Sequence, residues 1–202
     1  LIATVKAWVA EYILTNAIDS GEGRELFLSV LPDPDKTPQE EATMTLEESN
    51  VGLFPMPQQV EIDIWQAITN TADQYNEPGV FSAMIGWEWS AIPAGANLHR
   101  VVVSDSNAAV AQQYDPFGLD QSAFPEDLWA WLDKTSASTG ADFIAIPHNS
   151  NISKGYMFSD KSLRGEPITA DYVARRMKWE KGVEITQTKG DSETHSKVSP
   201  QD

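Results

Sequence analysis

Apolar residues recur along the chain in two rhythms, and these divide it into elements. Leu1, Val5, Trp8, Val9, Tyr12 and Ile13 return every three or four positions, which predicts a helix with one buried stripe, closed by Gly21 and Gly23. The stretch 31–57 holds five prolines, a cluster of acids and little periodicity, so it reads as a long surface loop or insertion. A second helix is predicted over about 60–75, with Ile64, Ile68, Ala72 and Tyr75 on one face, and Pro78-Gly79 turns the chain out of it.

After that turn the rhythm alternates. Residues 81–85 form a short apolar strand candidate that runs into Gly86-Trp87-Glu88-Trp89-Ser90, and 98–103 form another with His99 and Arg100 at its start. Pro125-Glu126-Asp127 opens a helix, with proline in the first turn and acids near the positive end of the dipole. Leu128, Trp131 and Leu132 line its inner face and Gly140 ends it. A strand at 142–146 leads into Pro147-His148-Asn149, Thr169 caps a helix reaching about 178, and a strand at 183–187 leads into Lys189-Gly190-Asp191. Strands alternating with helices predict an α/β fold with a mostly parallel sheet or barrel, in a single domain over 1–202 without internal repeats.

In parallel α/β folds the C-terminal ends of the strands open onto one rim, where residues distant in sequence converge. Three predicted strands end in polar residues: Glu88, His148 and Lys189. The three histidines, His99, His148 and His195, all fall in polar, turn-rich or strand-end settings, where each could also serve merely to anchor a loop. Glu88 with His99 and His148 would make a set of two imidazoles and one carboxylate, which suits Zn, Mn or Fe and leaves coordination positions open. Glu88 stands between Trp87 and Trp89, so its carboxylate is expected in a site walled by aromatic rings, where it needs a cation to stay ionised. The alternative is an ion pair with an arginine such as Arg100, and both readings predict a buried partner. Lysine beside a flexible backbone, as at Lys189-Gly190, can hold an anionic oxygen or form only a solvated turn.

Composition narrows the classes. The formal charge of −16 supplies no basic stripe for a phosphate backbone, which disfavours nonspecific nucleic-acid binding. No cysteine is present, which excludes disulfides, thiolate metal sites and thiol nucleophiles. No run reaches the roughly 18 apolar residues that crossing a bilayer takes, so no membrane partner is expected. The opening stretch lacks a secretory signal and an initiator Met, so an upstream start is expected; periplasm and cytoplasm both remain open. No Gly-x-Ser-x-Gly elbow, Walker loop or dinucleotide glycine fingerprint is present.

The segments PGVFSAMIGWEWS, NLHR, EDLWAWL, AIPHNSNISKGYMF, YVARRMKWE and VEITQTKGDSETHSKVSPQD, in that order over 78–202, resemble a bacterial domain-of-unknown-function family related to the polymerase-and-histidinol-phosphatase (PHP) superfamily of metal-dependent phosphoesterases. The resemblance implies a distorted β/α barrel with two or three divalent metals at its C-terminal rim. It implies that Glu88 bridges two metals and that His99 and His148 ligate one of them. Lys189 and His195 fall in the family's KGxSExH stretch, where substrate binding or proton transfer is expected. The family's His-x-His, Asp-His and Asp-x-His motifs do not occur here, and Trp8 and Val9 stand where the Asp-His pair would be. The chain is therefore expected to be a piece of a larger domain, lacking terminal strands, or a degenerate member holding ligands for one metal.

The expected function is a metal-dependent hydrolase, most directly a phosphoesterase, using metal-activated water on a small anionic substrate with Arg100 and Lys189 assisting. The alternatives are a noncatalytic ligand- or partner-binding module and a metal-dependent C–N hydrolase. Oligomeric state is left open.

Overall fold

The structure is a computed structural model that describes residues 33, 35–48, 58–188, 190–191 and 197. The helix expected at the start of the chain, together with Lys189 and His195, lies outside the described residues. Helix α1 (Pro38–Glu48) falls inside the stretch read as a loop. It starts where Thr37 and Glu40 bond reciprocally, the Glu40 carboxylate accepting from the Thr37 N–H at 2.8 Å and the Thr37 hydroxyl from the Glu40 N–H at 3.3 Å. This is a capping box, a start signal carried by polar residues and therefore missed by a search for apolar period.

Helix α2 (Gln58–Tyr75) forms where it was expected but presents a different face. Trp65 and Thr69 are its buried residues, whereas Ile68 and Tyr75 are exposed. Trp65 takes the inner position because its indole N–H reaches the Ala111 carbonyl at 2.8 Å, in the short helix α3 (Ala108–Ala111). Helix α4 (Pro125–Thr139) begins at its proline and ends at Gly140, which has the left-handed φ of 78° that a helix terminus favours. Helix α5 (Ala170–Trp179) is capped by the Thr169 hydroxyl, which accepts from the Tyr172 N–H at 3.2 Å.

Strands β1 (Ile85–Trp89), β2 (Arg100–Ser104) and β3 (Phe143–Pro147) form one sheet in the order β1-β2-β3, antiparallel throughout. This corrects the expectation of a parallel sheet or barrel: among the described residues the sheet is small and open. For the β1–β2 pair the ten residues 90–99 explain why, being too few for the crossover that a parallel pair requires. The first strand also begins four residues later than expected, leaving Phe81 exposed in an isolated bridge to Glu77. A two-stranded ribbon of β4 (Thr186–Gln187) and β5 (Gly190–Asp191) follows.

The sheet buries one face. Ile85, Trp89, Val102, Phe143 and Ala145 join Leu128, Trp129 and Leu132 of α4 in a single core. Trp87 belongs to the same side, edge-on to Trp65 of α2 and to Trp131 of α4, with centroids 5.9 and 5.6 Å apart. Side chains alternate across a strand, so the residues between these point to the opposite face. Gly86 lies there with Glu88, Val101 and Ile146, the last three more accessible than their neighbours. No helix among the described residues is long and apolar enough to cross a membrane.

Candidate metal centre

In an antiparallel sheet the end of one strand lies beside the start of the next. The end of β1, the start of β2 and the end of β3 therefore share one edge, and the register pairs Trp89 with Arg100 and Arg100 with Pro147. Glu88 comes from the first of these, His99 from the second and His148 from the third. The His148 N–H donates to the His99 carbonyl at 3.3 Å, extending the ladder by one step.

The three side chains meet. One ligand atom from each of Glu88, His99 and His148 lies within 4.8 Å of the others. Glu88 Oε1 is 2.8 Å from His99 Nδ1 and 3.8 Å from His148 Nε2. Zinc bonds of 2.0–2.1 Å in tetrahedral geometry separate ligand atoms by about 3.4 Å, so the two spacings bracket what an ion needs. One carboxylate oxygen and two imidazole nitrogens suit Zn, Mn or Fe and leave positions free for water or substrate. The residues fit a divalent ion.

Supporting contacts orient them. The Ser90 hydroxyl donates to Glu88 Oε1 at 2.7 Å. The buried Asn97 accepts the His99 N–H on Oδ1 at 3.2 Å. His148 Nδ1 lies 3.4 Å from the Ile146 carbonyl, which turns Nε2 toward Glu88. The loop after β3 docks on the β1–β2 connection, where the Asn97 N–H donates to the Ile152 carbonyl at 3.1 Å and Lys154 Nζ to the Ala94 carbonyl at 2.6 Å.

Two expectations about surroundings are corrected. The Glu88 side chain is 45% exposed and sits across the sheet from Trp87 and Trp89, so it is not walled by aromatic rings. Arg100 does not pair with Glu88 and does not stand at the centre as an assisting cation. It alternates to the buried face, 1% exposed, and its Nε lies 3.0 Å from Glu180 Oε1. There Glu180 also accepts from the Trp129 indole at 2.9 Å and from Arg176 Nε at 2.8 Å, while an Arg100 guanidinium N–H bonds the Leu98 carbonyl. In the same region burial pushes the Glu126 carboxyl up from its ordinary range, despite Arg164 3.3 Å away, and pushes the Tyr172 phenol up to about 12.

Several residues around the centre escaped the sequence reading. Ser90, Asn97 and Asn149 are short polar residues beside the ligands, and only their position within two residues of Glu88, His99 and His148 could have flagged them. For Glu180 the only local signal was its pairing with Arg176 four positions earlier, because its other two partners, Trp129 and Arg100, are 51 and 80 positions away.

A family model described as a protein of unknown function, DUF3604, matches residues 6–202. No curated protein and no solved structure matches the chain.

Proposed function

The chain belongs to the DUF3604 family, and from that premise we propose that it is a metal-dependent hydrolase acting on a small anionic phosphoester. The convergence of Glu88, His99 and His148 within 4.8 Å carries this reading. A divalent ion there would supply Lewis acidity and lower the pKa of water toward neutrality. The chain's residues do the rest. Glu88 contributes the charge that holds the cation, on an oxygen already fixed by Ser90. His99 and His148 add neutral nitrogen donors, and the exposed side of Glu88 leaves an approach for substrate. Lys189 and His195 are the residues proposed for substrate binding and proton transfer. The relationship to PHP phosphoesterases and their barrel is part of the same proposal and rests on the motifs quoted above.

A noncatalytic metal-binding module is the second reading, favoured by the burial of Arg100, which removes one cation expected to receive the anion. Hydrolysis of an aryl phosphate by the metal-loaded protein, with and without chelator, separates the two. Chelator-sensitive turnover that falls at least about a hundredfold in Glu88→Ala is expected. Full activity in Glu88→Ala overturns its assignment, absence of turnover in metal-loaded protein favours the module, and turnover of anilides instead of aryl phosphates points to C–N hydrolysis.

A further inference from the structure

The turn that follows β3 is strained and is held from another element. Among the described residues three that are not glycine have a positive φ, Ala94, Asn149 and Lys154, and all lie in the connections that border the Glu88–His99–His148 centre. Asn149 directly follows His148, with φ 58° and ψ 38°. A left-handed residue costs free energy even for asparagine, and it persists where its surroundings over-determine it.

Glu184, 35 positions further along the chain, supplies that hold. Its Oε2 accepts the Asn149 N–H at 3.1 Å, and its own N–H donates to the Pro147 carbonyl at 3.0 Å, so the two bonds fall on the two neighbours of His148. Gln187 of β4 donates its Nε2 to the same oxygen at 2.7 Å and fixes the carboxylate in turn. The ribbon approaches the turn at a second place, since a Cβ at Gly190 would fall 2.7 Å from Asn151 Nδ2. Asn149 is fully buried, so its N–H needs a partner. Glu184 is not one of the three residues whose ligand atoms converge, and its bonded oxygen already accepts twice.

We propose that Glu184 is a positioning residue for His148, its carboxylate locking the 147–149 turn so that the imidazole Nε2 faces Glu88. The proposal rests on the metal reading above. That nitrogen stands 3.8 Å from Glu88 Oε1, and the ring's own contact to the Ile146 carbonyl is long, at 3.4 Å. Metal–ligand distances hold to within about 0.2 Å, so slack in the turn becomes lost affinity.

Zinc affinity of the intact protein, measured by competition with a chromogenic chelator, tests this, with cobalt(II) in place of zinc to report ligand geometry by its visible absorption. Glu184→Ala removes the acceptor. Glu184→Asp withdraws it by one methylene and keeps the charge, whereas Glu184→Gln keeps an oxygen in place without the charge. Gln187→Ala loosens the ribbon and leaves the Asn149 bond. The alanine and aspartate variants are expected to bind zinc about tenfold or more weaker, with an altered cobalt spectrum. Glu184→Gln and Gln187→Ala are expected to stay within about threefold of wild type and to keep its spectrum. If the alanine variant does not fold, the aspartate variant carries the same comparison. Unchanged affinity and spectrum in Glu184→Asp overturn the proposal. A loss in Glu184→Gln as large as in Glu184→Asp also overturns it, by assigning the effect to charge, and an equal loss in Gln187→Ala does so by assigning it to ribbon docking. Each of these leaves the metal reading standing. Wild type that takes up no zinc overturns both readings.

Discussion

The Ser90 hydroxyl donates to the carboxylate oxygen of Glu88 that faces both imidazoles. Groups that orient a ligand in this way are commonly worth ten- to a hundredfold in metal affinity. Ser90→Ala is therefore expected to weaken zinc binding by about tenfold with little change in melting temperature, measured by competition with a chromogenic chelator. An unchanged affinity would mean that Glu88 is oriented by something else. A second residue speaks to stability. Burial raises the Glu126 carboxyl above its ordinary range, so the folded chain holds that proton more tightly than the unfolded one. The protonated group's advantage is complete below the unfolded value and fades as pH rises through the folded one. Glu126→Gln is expected to be more stable than wild type at neutral pH by about 1 kcal/mol, with the difference vanishing in acid, as followed by urea unfolding across pH. A constant difference would show that burial does not govern this group. At this scale the three residues that could hold an ion were legible, because polar residues interrupt apolar runs at Glu88, His99 and His148. The environment of Glu88 was not. Alternation sends the rings of the two flanking tryptophans to the core side, and no other aromatic residue was in view to wall the face that Glu88 occupies.

The sheet is the element on which the centre depends. Gly86 lies two residues before Glu88, and a Cβ built there would fall 2.6 Å from the Val102 carbonyl of β2. Gly86→Ala must push β1 away from β2, and is expected to lower stability by about 1–3 kcal/mol and weaken zinc binding with it, since Glu88 and His99 ride on those two strands. Retained stability and affinity would show that the sheet edge is more pliant than its register suggests. Beneath the sheet, Glu180 accepts from Arg100, Arg176 and Trp129, joining β2 to α4 and α5. Glu180→Ala leaves two largely buried guanidinium groups facing a void, and is expected to cost about 3–5 kcal/mol in equilibrium unfolding. Helices α2, α4 and α5 were legible because caps or period marked them, as at Thr169, Pro125 and Gly140. Strand direction was not, since a strand–helix order reads the same for parallel and antiparallel sheets. The short connection 90–99 held the answer for β1 and β2, whereas the long connection 105–142 before β3 carried no such signal.

For the whole molecule, charge sets the approach of any anion. A formal charge of −16 repels an anionic ligand at a range that shrinks with salt, from about 30 Å at 0.01 M to about 10 Å at 0.1 M. Phosphate binding to the zinc-loaded protein is expected to tighten as ionic strength rises through that range, and weakening would mean that the centre's local positive field dominates. The family match over residues 6–202 agrees with the quoted motifs in marking a domain of unknown function, and it extends the resemblance toward the start of the chain. Helix α1 shows what period alone misses, because polar caps and acids can begin a helix in a stretch that reads as loop. The account stands on one ion per chain at the sheet edge. Elemental analysis of purified protein after zinc exposure and exhaustive dialysis tests this most directly, alongside Glu88→Gln and His148→Ala. About one zinc per wild-type chain and little in either variant is the predicted result, and equal zinc in all three, or none in wild type, contradicts it.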